Sequence, residues 1–412
     1  MCSALPPDFQ KLWAGQTISF IGNEVTAFAL PLTAVLVLGA SASEMGMLVA
    51  FQHLPMALFG LVAGVWVDRL RRRPIIAACS FLGGMLLASI PLAWMSGTLT
   101  LTQIYVVSFG TGTFFVFSQV ADRAYLPTIL NSSQLMVGNS KISLSGSVAQ
   151  TVGPGFAGVL VQWLTAPIAI AVDAVSFLIA GLFTLSIRTP EPKPPSAGTR
   201  TRTVAEVKES LLTVMRHPLL RPLVLCAVAH NICSTMIVAV YVLYLTRELE
   251  VTSLLLSMIF VAGGLGAVCG SILTTRLTAG VGMGPTLILM QALTGIARLL
   301  VPLAMGSLSQ VVATLMCSQF LLGAVRATFN VTQLSLRQTV IPASTMGRVN
   351  AAIGFILWAF TPLGALAGGY LGEHLGVRPT LWIAASGVLL STGFVLFSRL
   401  RSQMTLEFDG RL

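Results

Sequence analysis

The chain has 412 residues, of which 55% are hydrophobic and only 9% charged, with a mean hydropathy of +0.86 and a formal net charge of +10. A soluble protein of this length needs far more charge to cover its surface, so a set of water-soluble domains is excluded. The basic residues sit in short loops between apolar runs and not in one patch, which argues for anionic lipid headgroups and against nucleic acid as their partner.

Apolar runs divide the chain into twelve predicted spans: 12–38, 43–66, 74–95, 101–121, 134–163, 166–187, 218–246, 252–275, 284–306, 308–330, 345–373 and 379–398. Each approaches or exceeds the roughly 20 residues that a helix needs to cross about 30 Å of hydrocarbon. The fold class expected is an all-α membrane protein of two pseudo-symmetric six-helix bundles: 1–187, a cytoplasmic linker at 188–217, and 218–412. The polar stretch Met1–Lys11 has no charged-then-apolar leader with a cleavage site, so the first span is expected to stay in the protein. The linker begins stiffly with Pro190, Pro192, Pro194 and Pro195. Thr203 with Glu206 then forms a capping box ahead of Val204, Val207, Leu211, Val214 and Met215 at helical spacing, which reads as a short amphipathic helix on the membrane face.

Of the 24 Lys and Arg residues, Arg298 and Arg326 fall within spans. Arg247 and Arg378 alone fall in the odd-numbered connections, which fixes the expectation that both termini are cytoplasmic in the cell or inner membrane. A repeat is expected from Gly146 and Pro154 in span five, which match Gly354 and Pro362 in span eleven, and from Gly60 and Gly64 against Gly266 and Gly270.

Cys2, Cys79, Cys226, Cys233, Cys269 and Cys317 form no CxxC pair, so neither a disulfide framework nor a metal site is expected. Lys11, Lys141, Lys193 and Lys208 follow Gln, Ser, Pro and Val, so the chain has no P-loop, and no HExxH supports catalysis. The chain is read as a non-enzyme without cofactors, acting as a monomer on a small-molecule substrate. A non-transporting receptor or a membrane-embedded enzyme is the competing class.

Ionisable residues at membrane depth are costly and mark functional positions. Glu24 in span one, beside Gly22 and Asn23 with Gln16 two turns earlier, is the leading proton-coupling candidate, and Asp173 in span six is the second. Each has a competing reading as a structural hydrogen-bond partner. Arg298 and Arg326 are read as holding an anionic substrate group or as structural ion pairs. His53 and His230 are read as helix-packing hydrogen bonders. Phe28, Gln52 and Trp358, with Gln16 and Asn23, complete the candidate substrate lining.

The run Gly64-Val-Trp-Val-Asp68-Arg69-Leu-Arg71-Arg72-Arg73 resembles the signature loop of the major facilitator superfamily, with Arg71 where that family has glycine. The stretch with Gly146, Gly153-Pro154-Gly155 and Gly158 resembles the antiporter signature of its drug exporters. Phe9 to Gln16, Ile21 to Glu24, Arg123 to Pro127, Asp173 to Phe177, His217-Pro218 and Met346 to Val349 are similar to the branch of macrolide-efflux and enterobactin-exporter-like proteins. Span four lacks the arginine that many drug/proton antiporters carry there.

The resemblance implies a secondary active exporter of amphiphilic drugs or natural products, coupled to protons and working by alternating access. The substrate would sit between spans 1, 2, 4, 5 and their counterparts 7, 8, 10, 11, and Gly64, Asp68, Arg69, Arg72 and Arg348 would form a conformational latch. The alternatives are export of a siderophore or other anionic metabolite, and a lysophospholipid flippase. Fluorescent reporters that mature only in the cytoplasm, fused to either end, are both expected to light up, and a dark C-terminal fusion would break the even span count.

Overall fold

The computed structural model describes residues 5–191, 215, 220–340 and 343–398, and only the backbone of residues 61, 65, 68, 220, 337–340 and 343–352. The amphipathic helix expected within 203–215 lies outside the described residues apart from Met215.

Twelve long α-helices are described. They are α1 (Pro7–Leu32), α2 (Ala42–Arg69), α3 (Arg72–Met95), α4 (Leu101–Ile129), α5 (Ser132–Leu164), α6 (Ala166–Ser186), α7 (Leu220–Leu243), α8 (Ser253–Val281), α9 (Met283–Leu303), α10 (Leu308–Val340), α11 (Ala343–His374) and α12 (Val377–Leu396). Eleven spans are long and apolar enough to cross a membrane, and α2, at 28 residues, also exceeds the roughly 20 required. Helices are the open-chain answer to hydrocarbon because every backbone polar group pairs inside its own segment. The apolar residues left facing outward fit the same solvent: Leu92, Trp163 and Leu390 are 65%, 80% and 76% exposed.

Several helices outrun their predicted spans. Helix α4 reaches Ile129 where the apolar run ends at 121, and α10 reaches Val340 where it ends at 330. Hydropathy reports only the stretch within hydrocarbon, whereas backbone hydrogen bonding carries the helix on through polar residues. Caps set several starts: Ser41 with Glu44 forms a capping box ahead of α2, as does Asn131 with Gln134 ahead of α5.

The chain divides into two compact units, Met1–Thr201 and Arg202–Leu412. In the first, α1 packs on α5 and α6, α3 on α4 and α6, and α2 on α4. The second repeats these pairings: α7 on α11 and α12, α9 on α10 and α12, and α8 on α10. The repeat extends to backbone irregularities. A π turn, Thr33–Val37, closes α1, and another, Tyr244–Glu248, closes α7. Gly39 and Glu250 follow them with positive φ, and Thr165 and Gly376 join α5 to α6 and α11 to α12, also with positive φ. Within each of these pairs (33 and 244, 39 and 250, 165 and 376) the residues are 211 apart. The Gly146/Gly354 and Gly60/Gly266 matches are therefore three and five residues out of structural register. Three residues are nearly one helical turn, so small residues on a shared face mimic the repeat.

Residues after α6 are tied back onto the first unit. Asp8 Oδ2 accepts from the backbone N–H of Arg188 (3.0 Å) and of Thr189 (2.8 Å) and from Thr189 Oγ1 (2.7 Å), while its Oδ1 accepts from Lys11 Nζ (2.8 Å). Glu191 caps the start of α3, accepting from Arg72 N (2.5 Å) and Arg73 N (3.3 Å), where the helix dipole favours an anion. Beneath these ties, Phe9, Leu12, Val67, Ile76, Tyr125 and Ile187 form a buried apolar cluster.

Thr165, at φ 78° and ψ 158°, occupies a region that suits only glycine, and its side chain caps nothing. Thr165→Gly is expected to raise stability by about 1 kcal/mol, and Gly376→Thr to lower it by a similar amount. Thermal unfolding of the purified protein in detergent checks both, and a lower midpoint for Thr165→Gly would refute the strain.

Candidate functional site

The contact of α1 with α6 is built from matched stripes. Gly15, Gly22 and Thr26 recur on one face of α1, and Asp173, Ser176, Ala180 and Phe183 at i, i+3, i+7 and i+10 on one face of α6. A Cβ added at Gly15 would stand 3.2 Å from Phe183 Cβ, and one at Gly22 would stand 2.9 Å from Ser176 Cβ and collide with Asp173 Oδ1. Glycine here lets the backbones approach closely. Asp173, 1% exposed, fills the contact: Thr26 Oγ1 donates to its Oδ2, and Ser176 Oγ to its Oδ1 at 2.9 Å. This carboxyl group is fully engaged in joining two helices.

Glu24 is placed differently. Two residues beyond Gly22 it lies about 200° round the helix, against α5, where Gly153 gives it room. A Cβ at Gly153 would stand 2.5 Å from Glu24 Cβ and 2.8 Å from its Cγ. Glu24 is half-buried, and its carboxylate makes no hydrogen bond or ion pair among the described residues. Glu24 therefore lies on the face of α1 opposite the one that Asp173 of α6 packs against, and the two candidate carboxylates are not brought together.

A third acid was not singled out in the sequence. Asp122 on α4 accepts from Ser118 Oγ at 3.4 Å through Oδ2, and its Oδ1 is buried without a partner. Gln16 lies beside it, with its own Oε1 buried and unpartnered. The apolar run ends at 121, which assigned Asp122 to a loop next to Arg123, whereas α4 continues to Ile129. The missed signal is helical spacing: Ser118, Asp122 and Tyr125 fall on one face.

Other candidates on the first unit separate into required and unrequired positions. Gly153 is required by Glu24. Gly146 is not, since a Cβ there would meet Phe20 only at 3.8 Å, and one at Gly64 would meet nothing within 4 Å among the described residues. Gly158 is buried and Pro154 half-buried within α5. Gln52 brings its carbonyl within 2.8 Å of where a Gly112 Cβ would stand, so α2 and α4 meet closely there. Asn23 is half-buried and Phe28 buried on α1. Arg69 is exposed, while Arg72 pairs with Glu191 at 3.7 Å. The side chains of Asp68 and Arg348 lie outside the described residues.

In the second unit, Gln291 Nε2 meets His230 Nδ1 at 3.0 Å and donates to Ser391 Oγ at 2.9 Å, joining α7, α9 and α12. His230 is thereby engaged in helix packing. Arg298 Nη2 on α9 donates to Ser234 Oγ at 3.1 Å on α7, and its Nε is buried without a partner. Tyr241 Oη accepts from Gln319 Nε2 at 3.1 Å, with its ring edge-on to Phe260. Arg326 on α10 is exposed, and Trp358 on α11 is 39% exposed. Among the described residues no cluster of His, Cys, Asp or Glu could hold a metal ion, and the five described cysteines are free thiols.

Two matched six-helix units, with polar side chains set into otherwise apolar spans, define an all-α membrane protein built on an internal repeat. The Major Facilitator Superfamily profile matches residues 12–232 and 223–407, and the chain belongs to that family. It is 26% identical over 397 residues to the multidrug efflux pump Tap of Mycolicibacterium fortuitum, covering 92% of this chain and 93% of that one. It is 22% identical over 393 residues to macrolide efflux protein A of Streptococcus pyogenes, covering 93% of each. Among solved structures it is similar in fold to the nucleoside transporter NupG, with a TM-score of 0.74 at 12% identity over 95% of this chain and 98% of the other. A bacterial homologue of the iron transporter ferroportin in its inward-facing state gives 0.73 at 15% identity, covering 96% and 99%.

Gly22→Ala forces a methyl group into the Asp173–Ser176 contact and is expected to cost about 1–3 kcal/mol, as overpacking does. The same change at Gly64 is expected to be neutral within about 0.5 kcal/mol. Detergent melting curves for the pair check the contrast, and equal midpoints would refute the close contact.

Proposed function

We propose that this Major Facilitator Superfamily transporter exports small amphiphilic drugs or natural products in exchange for protons, by alternating access, with Glu24 as the proton-exchanging group. The observation that carries the reading is Glu24 itself: a carboxylate within a membrane span, half-buried, given space by Gly153 and held by no donor or cation among the described residues. A carboxylate with no fixed donor or cation among the described residues is able to exchange a proton with the aqueous phase that reaches it. Asp173 contrasts with it. Donors from Thr26 and Ser176 engage both of its oxygens, which suits a fixed structural role.

The relatives named for multidrug and macrolide efflux support the direction and the substrate class. The chain carries no P-loop, so the work must come from an ion gradient or a partner ATPase. In the first unit Gln16, Asn23 and Gln52, each half-buried within a span, supply hydrogen-bonding surface of the kind an amphiphile requires. The antiporter-like stretch contributes through Gly153, because any larger residue there would push against Glu24.

The test uses the full chain in proteoliposomes with ethidium and erythromycin as probes. A pH gradient is expected to drive transport by the wild type, with a probe-dependent pH change inside the vesicles. Glu24→Gln is expected to reduce gradient-driven transport to background while equilibrium binding of the probes remains measurable. Transport by the variant at the wild-type rate would remove Glu24 from the mechanism. Transport with no accompanying pH change in the wild type would remove proton antiport.

A further inference from the structure

The interior of the second unit holds positive charge that nothing described there balances. Arg298 is always protonated. It gives one hydrogen bond to the neutral Ser234 Oγ, and its Nε is buried without a partner. The acidic side chains described in this unit are Glu248, Glu250 and Glu373. Glu248 closes the π turn after α7, Glu250 follows it in the loop, and Glu373 is the penultimate residue of α11. None of the three forms an ion pair with Arg298 among the described residues.

Further positive charge comes from Arg326, which lies near enough to act on both Arg298 and His230. Tyr241 lies within the field of Arg298, and because its oxygen accepts from Gln319, its O–H hydrogen is free to donate. The surroundings of Glu24 are thus inverted here: a guanidinium with one neutral partner lies in a unit where no described anion pairs with it. Removing a guanidinium from water costs several kcal/mol unless an anion meets it.

We propose that Arg298, with Tyr241 beside it and Arg326 in its field, seats the anionic group (a carboxylate or a phosphate) of an otherwise apolar molecule. The proposal rests on the reading of the chain as an exporter of amphiphiles and extends that class to amphiphiles carrying an acid. A guanidinium fork suits both oxyanions, since each offers it two oxygens in parallel. Two sources share this chemistry, a transported substrate and the headgroup of an anionic lipid.

Equilibrium binding to the full chain in nanodiscs separates them. The probes are 11-(dansylamino)undecanoic acid and its primary amide, equal in length and differing in charge. In phosphatidylcholine discs the acid is expected to bind at least about tenfold more tightly than the amide, the scale of one hydrogen bond to a charged group. Arg298→Gln is expected to bring the acid down to the amide's affinity, and Arg298→Lys to keep part of the preference. Correct folding of each variant is read from its elution profile and circular dichroism.

In discs containing phosphatidylglycerol, a preference that persists assigns the seat to a free ligand, and one that disappears assigns it to a lipid headgroup. Equal affinities for acid and amide in the wild type, or an undiminished preference in Arg298→Gln, would overturn the proposal. No pH gradient is applied, so failure here leaves proton-driven ethidium transport standing, and failure of that transport leaves the anion seat standing.

Discussion

Hydrocarbon offers no water to a polar group, and that constraint shapes the molecule at every scale. It requires the backbone to close its hydrogen bonds within each helix, which is why the described residues form long helices separated by abrupt turns. It also removes the hydrophobic effect as a force between helices, leaving close packing and a few polar contacts to hold them together. The α1–α6 contact uses both. Gly15 and Gly22 bring the backbones close, and Asp173 receives hydroxyl donors from Thr26 on the facing helix and Ser176 on its own. The same constraint makes an incompletely partnered ionisable group conspicuous, and Glu24, Asp122 and Arg298 stand out for this reason.

The fold was largely legible in the sequence because bilayer thickness imposes a length scale on apolar runs. Helix type and order followed from hydropathy, and the family from short motifs. Helix ends were less legible, since α4 and α10 extend through polar residues that hydropathy assigns to loops. The repeat was visible, but its register was not. Small residues such as Gly146 and Gly354 align by composition one turn away from the true correspondence, which the π turns and the positive-φ residues fix.

The site was legible in part. Glu24 and Asp173 both appeared as acids at membrane depth, and composition cannot tell an engaged carboxyl from a free one. That distinction depends on which face of α1 each one meets, and on whether a donor stands opposite. Asp122 escaped notice because its neighbour Arg123 made the pair look like a loop. The motif glycines were also indistinguishable in sequence, although Gly153 faces a side chain at 2.5 Å and Gly64 faces none within 4 Å among the described residues.

The two carboxylates that tie down residues 188–191 have a mechanical consequence. Asp8 holds the backbone just past α6 to the start of α1, and Glu191 fastens the next residues to the start of α3. A tug arriving along the chain from residue 192 onward is therefore shared by two anchored helix starts before it can unwind the last turn of α6. The first six helices keep their own footing, much as a strain-relief collar spares a cable's solder joint.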